Sequence, residues 1–407
     1  MIYDIAVVGG GAAGLFAAIY AKKQNSQLNI VVLEALDRVG KKLITTGNGQ
    51  CNITNRFAAP KFYHSETPHL IGEVLSAFTV QDTVCEFGKM GVEIVFEEDG
   101  RAYPASYQAG SVVDALRFTA EEIGVEIISG VKINSFTKNK EFTLVSDNAK
   151  FTSRKVIFAC GLLSGGAKLG SFGDTLRMFK ELGYETSKTT PAIVQLKTET
   201  ETVKQLKGIK FNGVATLLIN GSAVKIHAGE ILFTDYGLSG PAILGVSRES
   251  ARVNSKAEIC LDIIPNISEV ELEKILLERK NNLSARVSEN FLTGFINKRL
   301  GQVLLKKAEI PLNISVNEIS PKQIAKLAHL IKNFSFAVTG NTGFNNSQVT
   351  AGGIKLTQVD ITTLESKKHK GLYLIGELLD VDGDCGGFNL QWAWSSAAVA
   401  ARSAVEL

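Results

Sequence analysis

Residues 3–23, YDIAVVGGGAAGLFAAIYAKK, pass from an apolar run through a glycine turn into a helix-forming run with nothing between them. Gly9, Gly11 and Gly14 hold the junction in the spacing G-x-G-x-x-G. Without side chains there, backbone N–H groups and the positive end of the helix can close on a pyrophosphate. A second apolar run, LNIVVLEA, ends at Glu34, twenty residues past Gly14. A carboxylate at the tip of a second strand is placed to accept hydrogen bonds from ribose hydroxyls. The glycine spacing alone is weak evidence. Strand, glycines, helix, strand and acid in this order predict a dinucleotide-binding βαβ unit, and with it a mostly parallel sheet covered by helices.

The motif leaves NAD and FAD open. The next segment, GKKLITTGNGQCNITN (residues 40–55), is a polar loop with little helical periodicity. A surface loop rich in turn residues has the same composition. Asparagines, threonines and paired lysines directly after the ribose-binding strand suit a ligand that runs on past its pyrophosphate, as FAD does.

Composition narrows the remaining classes. A chain of 407 residues is too long for one ordinary core, so two or three domains are expected. The apolar fraction of 45% and charged fraction of 21% are those of a soluble globular protein. A net charge of +3 argues against a dominant polyanionic partner. No apolar run reaches membrane-spanning length, and the N-terminus reads as a strand rather than a signal core. Cys51, Cys85, Cys160, Cys260 and Cys385 form no CxxC pair, a pattern of reduced thiols in a cytoplasmic protein. No metal-ligand spacing is present.

Residues 66–124 are expected to form helices around a short strand pair near 92–103. VEIISGVKI, FTLVSD and AKFTSR then read as strands, the last returning through KVIFACG to a parallel-sheet strand that ends in Ala159-Cys160-Gly161. Ligands of a doubly wound sheet lie at such strand ends. Cys160 is read as a small buried residue. From about residue 189 the texture changes to TPAIVQLK, ATLLINGSAVKIH, EILFTD and EICLDII, strands with hairpin signals such as Asn220-Gly221. GLSGPAILGVSRESA predicts a helix with Pro241 in its first turn. EVELEKILLERKN, SARVSENFLTGFINKRLGQVLLKK and SPKQIAKLAHLIKNF predict three more. The block 189–342 therefore reads as an insertion, part sheet and part helical cap.

The chain end is unusual. GELLDVDGDCGGFNLQWAWSS (residues 376–396) places three acids (Asp380, Asp382 and Asp384), a cysteine and Gly386-Gly387 between a buried-type strand, GLYLIGE, and an alanine-rich helix. If that strand rejoins the N-terminal sheet, the Gly386-Gly387 turn faces the ligand crevice. The helix then begins there, with its free N–H groups toward the ligand. Trp392 and Trp394 are assigned to the core.

These segments, with VVGGGAAGL, LFTDYGLSGPAIL, QVTAGGI and TLESKKHKGLYLIGELLDVDGDCGGFNLQWAWSS, carry a resemblance along essentially the whole chain. It resembles the bacterial NAD(P)/FAD-dependent oxidoreductase family that includes aminoacetone oxidase and 3-dehydro-bile-acid Δ4,6-reductase, with a ribosomal-RNA dihydrouridine synthase as a more distant relative. The resemblance implies an α/β fold: a glutathione-reductase-like FAD-binding Rossmann domain from residues 1–188 and 343–407. Into it are inserted a β-rich substrate domain (189–265, returning at 336–342) and a helical cap (266–335). By motif match, Gly9, Gly11, Ala12, Ala13 and Gly14 would hold the pyrophosphate, and Glu34 with Ala35 the adenosine ribose. Lys41, Lys42, Gly49, Cys51 and Asn52 would line the flavin side. Val131 would meet the adenine through its backbone, and Gly376 and Glu377 the phosphate and ribityl chain. Gly387, Phe388, Asn389 and Gln391 would lie at the ring. Ala159, Cys160, Gly161, Asp380 and Gly386 complete the cofactor-binding candidates. The family loop commonly reads Gly-Gly-Gly-Arg-Cys-Asn; here Asn48 and Gln50 stand in, which removes a cation beside the flavin. Gly161 to Gly166 (GLLSGG) and Asp235 also depart from the family pattern.

The resemblance implies an FAD enzyme that passes a hydride between flavin and an organic substrate. NAD(P)H-driven reduction of an activated C=C bond is the first expectation, with NAD(P)H visiting as a transient donor because only one G-x-G-x-x-G is present. Oxidation of a primary amine by oxygen is the alternative. RNA modification is a third reading, supported by eleven Lys and Arg against seven Asp and Glu in residues 266–335. A non-catalytic flavin-binding partner protein is the last. No residue declares itself as acid or base; Asn52, Cys385 and Asn389 are candidates by position.

Overall fold

The computed structural model describes residues 1–251 and 256–406. They form two compact units, Met1–Ala192 with Phe344–Leu407, and Ile193–Gly343.

The first unit is built on a parallel sheet. Its strands run in the spatial order Glu126–Ser129, Ile30–Glu34, Ile2–Val8 and Lys150–Phe158, and Leu372–Leu374 pairs with the last of these. An interior parallel strand such as Ile30–Glu34 must shed water on both faces and is buried at every position, whereas the edge strand Glu126–Ser129 stays partly exposed. Lys150–Phe158 is long enough to serve two neighbours. Residues 150–153 pair antiparallel with Phe142–Ser146, while residues 156–158 pair parallel with Leu372–Leu374. The C-terminal strand thus rejoins the sheet begun at the N-terminus, as the apolar run GLYLIGE predicts. The chain leaves Ile2–Val8 toward one side and returns on the other, so the order of strands reverses beside Val8. Helices Ala12–Gln24 and Phe388–Ala404 pack together on this sheet.

The second unit is a closed six-stranded barrel of Leu196–Thr198, Gly237–Ser239, Ser222–Phe233, Lys210–Ile219, Ala257–Asp262 and Phe334–Asn341. Its core holds Phe233, Phe334 and Phe336. Asn220 and Gly221 (φ 51° and 80°) make the two-residue hairpin expected of Asn-Gly. Helices Pro241–Ser250, Glu269–Asn282, Lys298–Lys307 and Pro321–Lys332 complete it.

Two local expectations are corrected. TPAIVQLK is not one strand: Ile193 has φ 49°, so Thr190–Ala192 pairs with Val349–Ala351 in the first unit and Leu196–Thr198 enters the barrel. SARVSENFLTGFINKRLGQVLLKK is α-helical only from Lys298, where the Asn297 side chain caps the first turn; upstream it holds a single 3-10 turn, Ser288–Asn290. There, Ser288 N–H donates to Ile314 O (2.9 Å) and Val316 N–H to Arg286 O (2.9 Å), so pairing with a later segment replaces α-helix.

Candidate functional site

The site is built around the reversal of strand order, where the first two glycine-bearing strand ends meet. Gly9 has φ 107°, and a Cβ on it would lie 2.7 Å from Ala159 O. A Cβ on Gly14 would lie 1.8 Å from Gly9 O. These two glycines are therefore required by the close approach of turn, helix and neighbouring strand. Gly11 differs: no protein atom lies within 4 Å of the position its Cβ would take. It caps a helix that has no side-chain cap and no acid in its first turn. Uncapped N–H groups facing open space, without a competing carboxylate, fit a pyrophosphate.

Glu34 is buried, and its carboxylate accepts from Gly10 N–H (2.7 Å) and Leu36 N–H (2.8 Å). Burial raises its pKa, while these N–H donors act the other way. Gly10 N–H and Glu34 are thereby locked together, and Ala35 lies at the partly exposed strand end. Val131 N–H donates to Glu34 O (2.8 Å), which brings the expected adenine contact to the same strand tip.

A polar network ties four segments together. Lys42 Nζ bonds Glu377 Oε2 (2.5 Å) and the Ser164 hydroxyl. Ser164 Oγ donates to Glu377 Oε1 (2.5 Å), and Thr350 N–H donates to the same oxygen (3.1 Å). Thr350 Oγ1 in turn accepts from the N–H groups of Leu163 and Ser164 (3.1 and 3.0 Å). Lys42 and Glu377 are brought together; Lys41 instead pairs with Asp37. Ser164 and Thr350 are missed by the sequence reading. Their signals were the glycine-rich GLLSGG turn and the QVTAGGI segment.

The Gly386-Gly387 turn packs on the 50s loop. Gly386 O accepts from Asn55 Nδ2 (2.8 Å). Gly387 has φ 96°, and a Cβ there would lie 2.3 Å from Thr54 O and 2.7 Å from Asn52 Oδ1. A side chain at Gly387 would therefore collide with the 50s loop. Gly49 and Gly161 have open space where a side chain would stand. Gly376 N–H donates to Ser396 Oγ (3.0 Å), and its carbonyl accepts from Trp392 Nε1 (3.0 Å). Trp394 Nε1 donates to Ile53 O (2.9 Å), so both buried tryptophans pin site loops to the last helix.

Several of the expected side chains are engaged with protein partners. Gln391 is buried and bonds Thr54, Thr83 and Ser395 within the core. Asn389 spends both amide atoms on Gly383, donating to its carbonyl and accepting from its N–H (2.8 Å each). Asn52 Oδ1 accepts from Ala102 N–H (3.1 Å). Asp380 is buried beneath Glu66 N–H (3.0 Å), and burial raises its pKa. Phe388 stacks on Phe62 with ring centroids 4.7 Å apart. Burial pushes the thiols of Cys51 and Cys160 up to about 12 and that of Cys385 to about 11, so none is a ready nucleophile. Arg101, on the strand paired with Asn55, supplies positive charge beside Cys385. Ala159, Ala12 and Ala13 line the turn without polar side chains.

A family model described as "HI0933-like protein Rossmann domain" matches residues 3–403. The chain belongs to the HI0933-like family. Among its relatives is the 3-dehydro-bile acid Δ(4,6)-reductase of Clostridium scindens, 33% identical over 406 residues and covering 99% of both chains. The ribosomal RNA dihydrouridine synthase of Escherichia coli K12 is 28% identical, covering 99% of this chain and 98% of its own. A quinol-fumarate reductase solved with menaquinol shares the fold, with a TM-score of 0.52 and 15% identity over all of this chain and 71% of that one. This HI0933-like protein is an FAD-dependent oxidoreductase with a Rossmann-type FAD fold. Among the described residues, no helix is long and apolar enough to cross a membrane, and no group of His, Cys, Asp and Glu is arranged to hold a metal.

Proposed function

We propose that this HI0933-like protein reduces a C=C bond conjugated to a carbonyl in a small organic substrate, with NAD(P)H as electron source. The observation that carries this reading is the full-length 33% identity to a 3-dehydro-bile acid Δ(4,6)-reductase. That relative's name and the name dihydrouridine synthase both describe saturation of such a bond. When bound, FAD supplies the two-electron carrier that no amino-acid side chain provides. In this reading the Gly9–Gly14 turn receives the pyrophosphate and Glu34 holds the ribose. The Lys42–Glu377–Ser164 network fixes the loops that flank the ribityl chain. Gly49 and the Gly386-Gly387 turn leave room for the ring.

RNA is the second reading. The 28% full-length identity to a ribosomal RNA dihydrouridine synthase favours it, as does the excess of Lys and Arg in residues 266–335. Anaerobic stopped-flow mixing of the purified holoprotein with NADH or NADPH separates these readings from amine oxidation. Rapid bleaching of the flavin, followed by recovery of colour on adding a 3-oxo-Δ4,6 steroid, supports the first. Recovery with ribosomal RNA but not the steroid supports the second. Bleaching by a primary amine and not by nicotinamide refutes both.

A further inference from the structure

A short two-residue ladder joins Tyr63–His64 to Asp382–Gly383 and sets His64 beside the turn that opens the last helix. His64 Nε2 lies 2.9 Å from Asp384 Oδ1. Both side chains keep about a quarter of their surface open, 24% and 22%. Among the described residues, Nδ1 of His64 has no hydrogen-bond partner. Asp384 stands two residues before Gly386. The strand that carries His64 is clamped to the same helix start by two further contacts. Tyr63 OH donates to Phe388 O (2.9 Å), and Phe62 stacks on Phe388.

An imidazole held by a carboxylate at one nitrogen has a fixed orientation, and its other nitrogen is left to exchange a proton. The charged groups about it are Asp384, Asp382 across the ladder, Asp380, and Glu66, which pairs with Lys355 (3.1 Å). The dyad thus lies among carboxylates, with Arg101 on the other side of Asp384 beside Cys385, on an anchored strand, at the helix start to which the flavin ring is assigned.

We propose that His64, oriented by Asp384, delivers the proton that completes saturation of the substrate double bond. This rests on the reductase reading above. When bound and reduced by nicotinamide, flavin would supply a hydride to the carbon β to the carbonyl. The π electrons of the C=C bond move toward the carbonyl as an enolate, and the proton on His64 Nδ1 goes to the α-carbon. The imidazole then regains a proton from solvent, so two electrons and two hydrogens enter the product. Asp384 is a positioning residue in this scheme.

Two measurements test it. With a 3-oxo-Δ4,6 steroid as probe, His64→Gln is expected to slow reoxidation of the reduced protein at least thirtyfold while leaving flavin reduction by nicotinamide unchanged. Free imidazole is expected to restore much of the rate to His64→Gly. Equal rates in His64→Gln, or no rescue, overturn the proposal. The second needs no turnover: with ¹⁵N-labelled histidine, FAD added to apoprotein is expected to shift the ring signals of His64 more than those of His69 or His369. Unmoved His64 signals place the dyad away from the cofactor and overturn the proposal. A wild type that binds FAD, moves His64 and yet reduces no enone refutes the reductase reading instead.

Discussion

Gly11→Ala separates what the glycine turn does for the fold from what it does for a ligand. The backbone at Gly11 has φ −81° and ψ −167°, a conformation open to alanine, and nothing lies within 4 Å of the added Cβ. The apoprotein therefore has no reason to be strained. Alanine restricts the unfolded chain but is a poorer N-cap than glycine, so the two effects oppose and net stability should change by no more than about 1 kcal/mol. The same methyl group stands where a pyrophosphate would approach the uncapped helix start. Loss or lengthening of one charge-assisted N–H···O bond costs about 1.5–3 kcal/mol. At about 1.4 kcal/mol per decade, FAD affinity should fall roughly tenfold to a hundredfold. Gly14→Ala is the contrast: its Cβ meets Gly9 O at 1.8 Å, a backbone atom that cannot turn aside. That variant should lose fold stability, by about 1–3 kcal/mol, along with affinity. Fluorescence titration of apoprotein with FAD and thermal unfolding of the same samples give both quantities. Wild-type affinity in a stable Gly11→Ala protein would refute the placement of the pyrophosphate.

Gly387→Val should weaken FAD binding strongly by displacing the helix start from Thr54. It combines a left-handed φ of 96° with the Thr54 contact, so circular dichroism should show a less stable protein, by roughly 3 kcal/mol; unchanged stability and affinity together would contradict the geometry. Native protein at pH 8 should show Cys85, the exposed cysteine, as its fast-reacting thiol toward a disulfide reagent. Buried Cys51 should react only after unfolding, and the partly exposed Cys160 and Cys385, their thiols raised to about 12 and about 11 by desolvation, far more slowly than Cys85. Asp380 is raised above its ordinary value of 3.8 by burial, so the folded state holds its proton more tightly than the unfolded chain. Its contribution to stability is full below 3.8 and declines as pH rises through the raised value. The stability of wild-type apoprotein relative to Asp380→Asn, from urea unfolding across pH, should fall on raising pH from 3.8; a rise would reverse the assignment.

The nucleotide-binding half was readable from the chain because its signals are local. Gly9, Gly14 and Glu34 sit within one βαβ unit; Gly14 and Glu34 answer steric and polar demands set by residues within about 25 positions, and Gly9, although it also abuts Ala159, carries the left-handed φ of the turn itself. Asn220-Gly221 and the Pro241 helix start were legible for the same reason: turn and cap preferences depend on a few neighbouring dihedrals. The strand GLYLIGE announced its burial by composition, but only tertiary pairing determined that Leu372–Leu374 lies on Val156–Phe158. Segments 284–297 and 189–197 were misread where long-range partners outweighed helix or strand preference. Gln391 is the clearest case at the site. Thirteen of the 17 residues in Phe388–Ala404 are buried, so the helix carries no polar stripe from which to read its faces. Its polar side chains were sorted by packing alone: Gln391 inward onto Thr54 and Thr83, Asn389 onto Gly383. The Lys42–Glu377 pair and the His64–Asp384 dyad each join residues more than 300 positions apart. Spacing along a chain encodes periodic and local geometry, whereas contacts of that separation exist only once the sheet has closed around them.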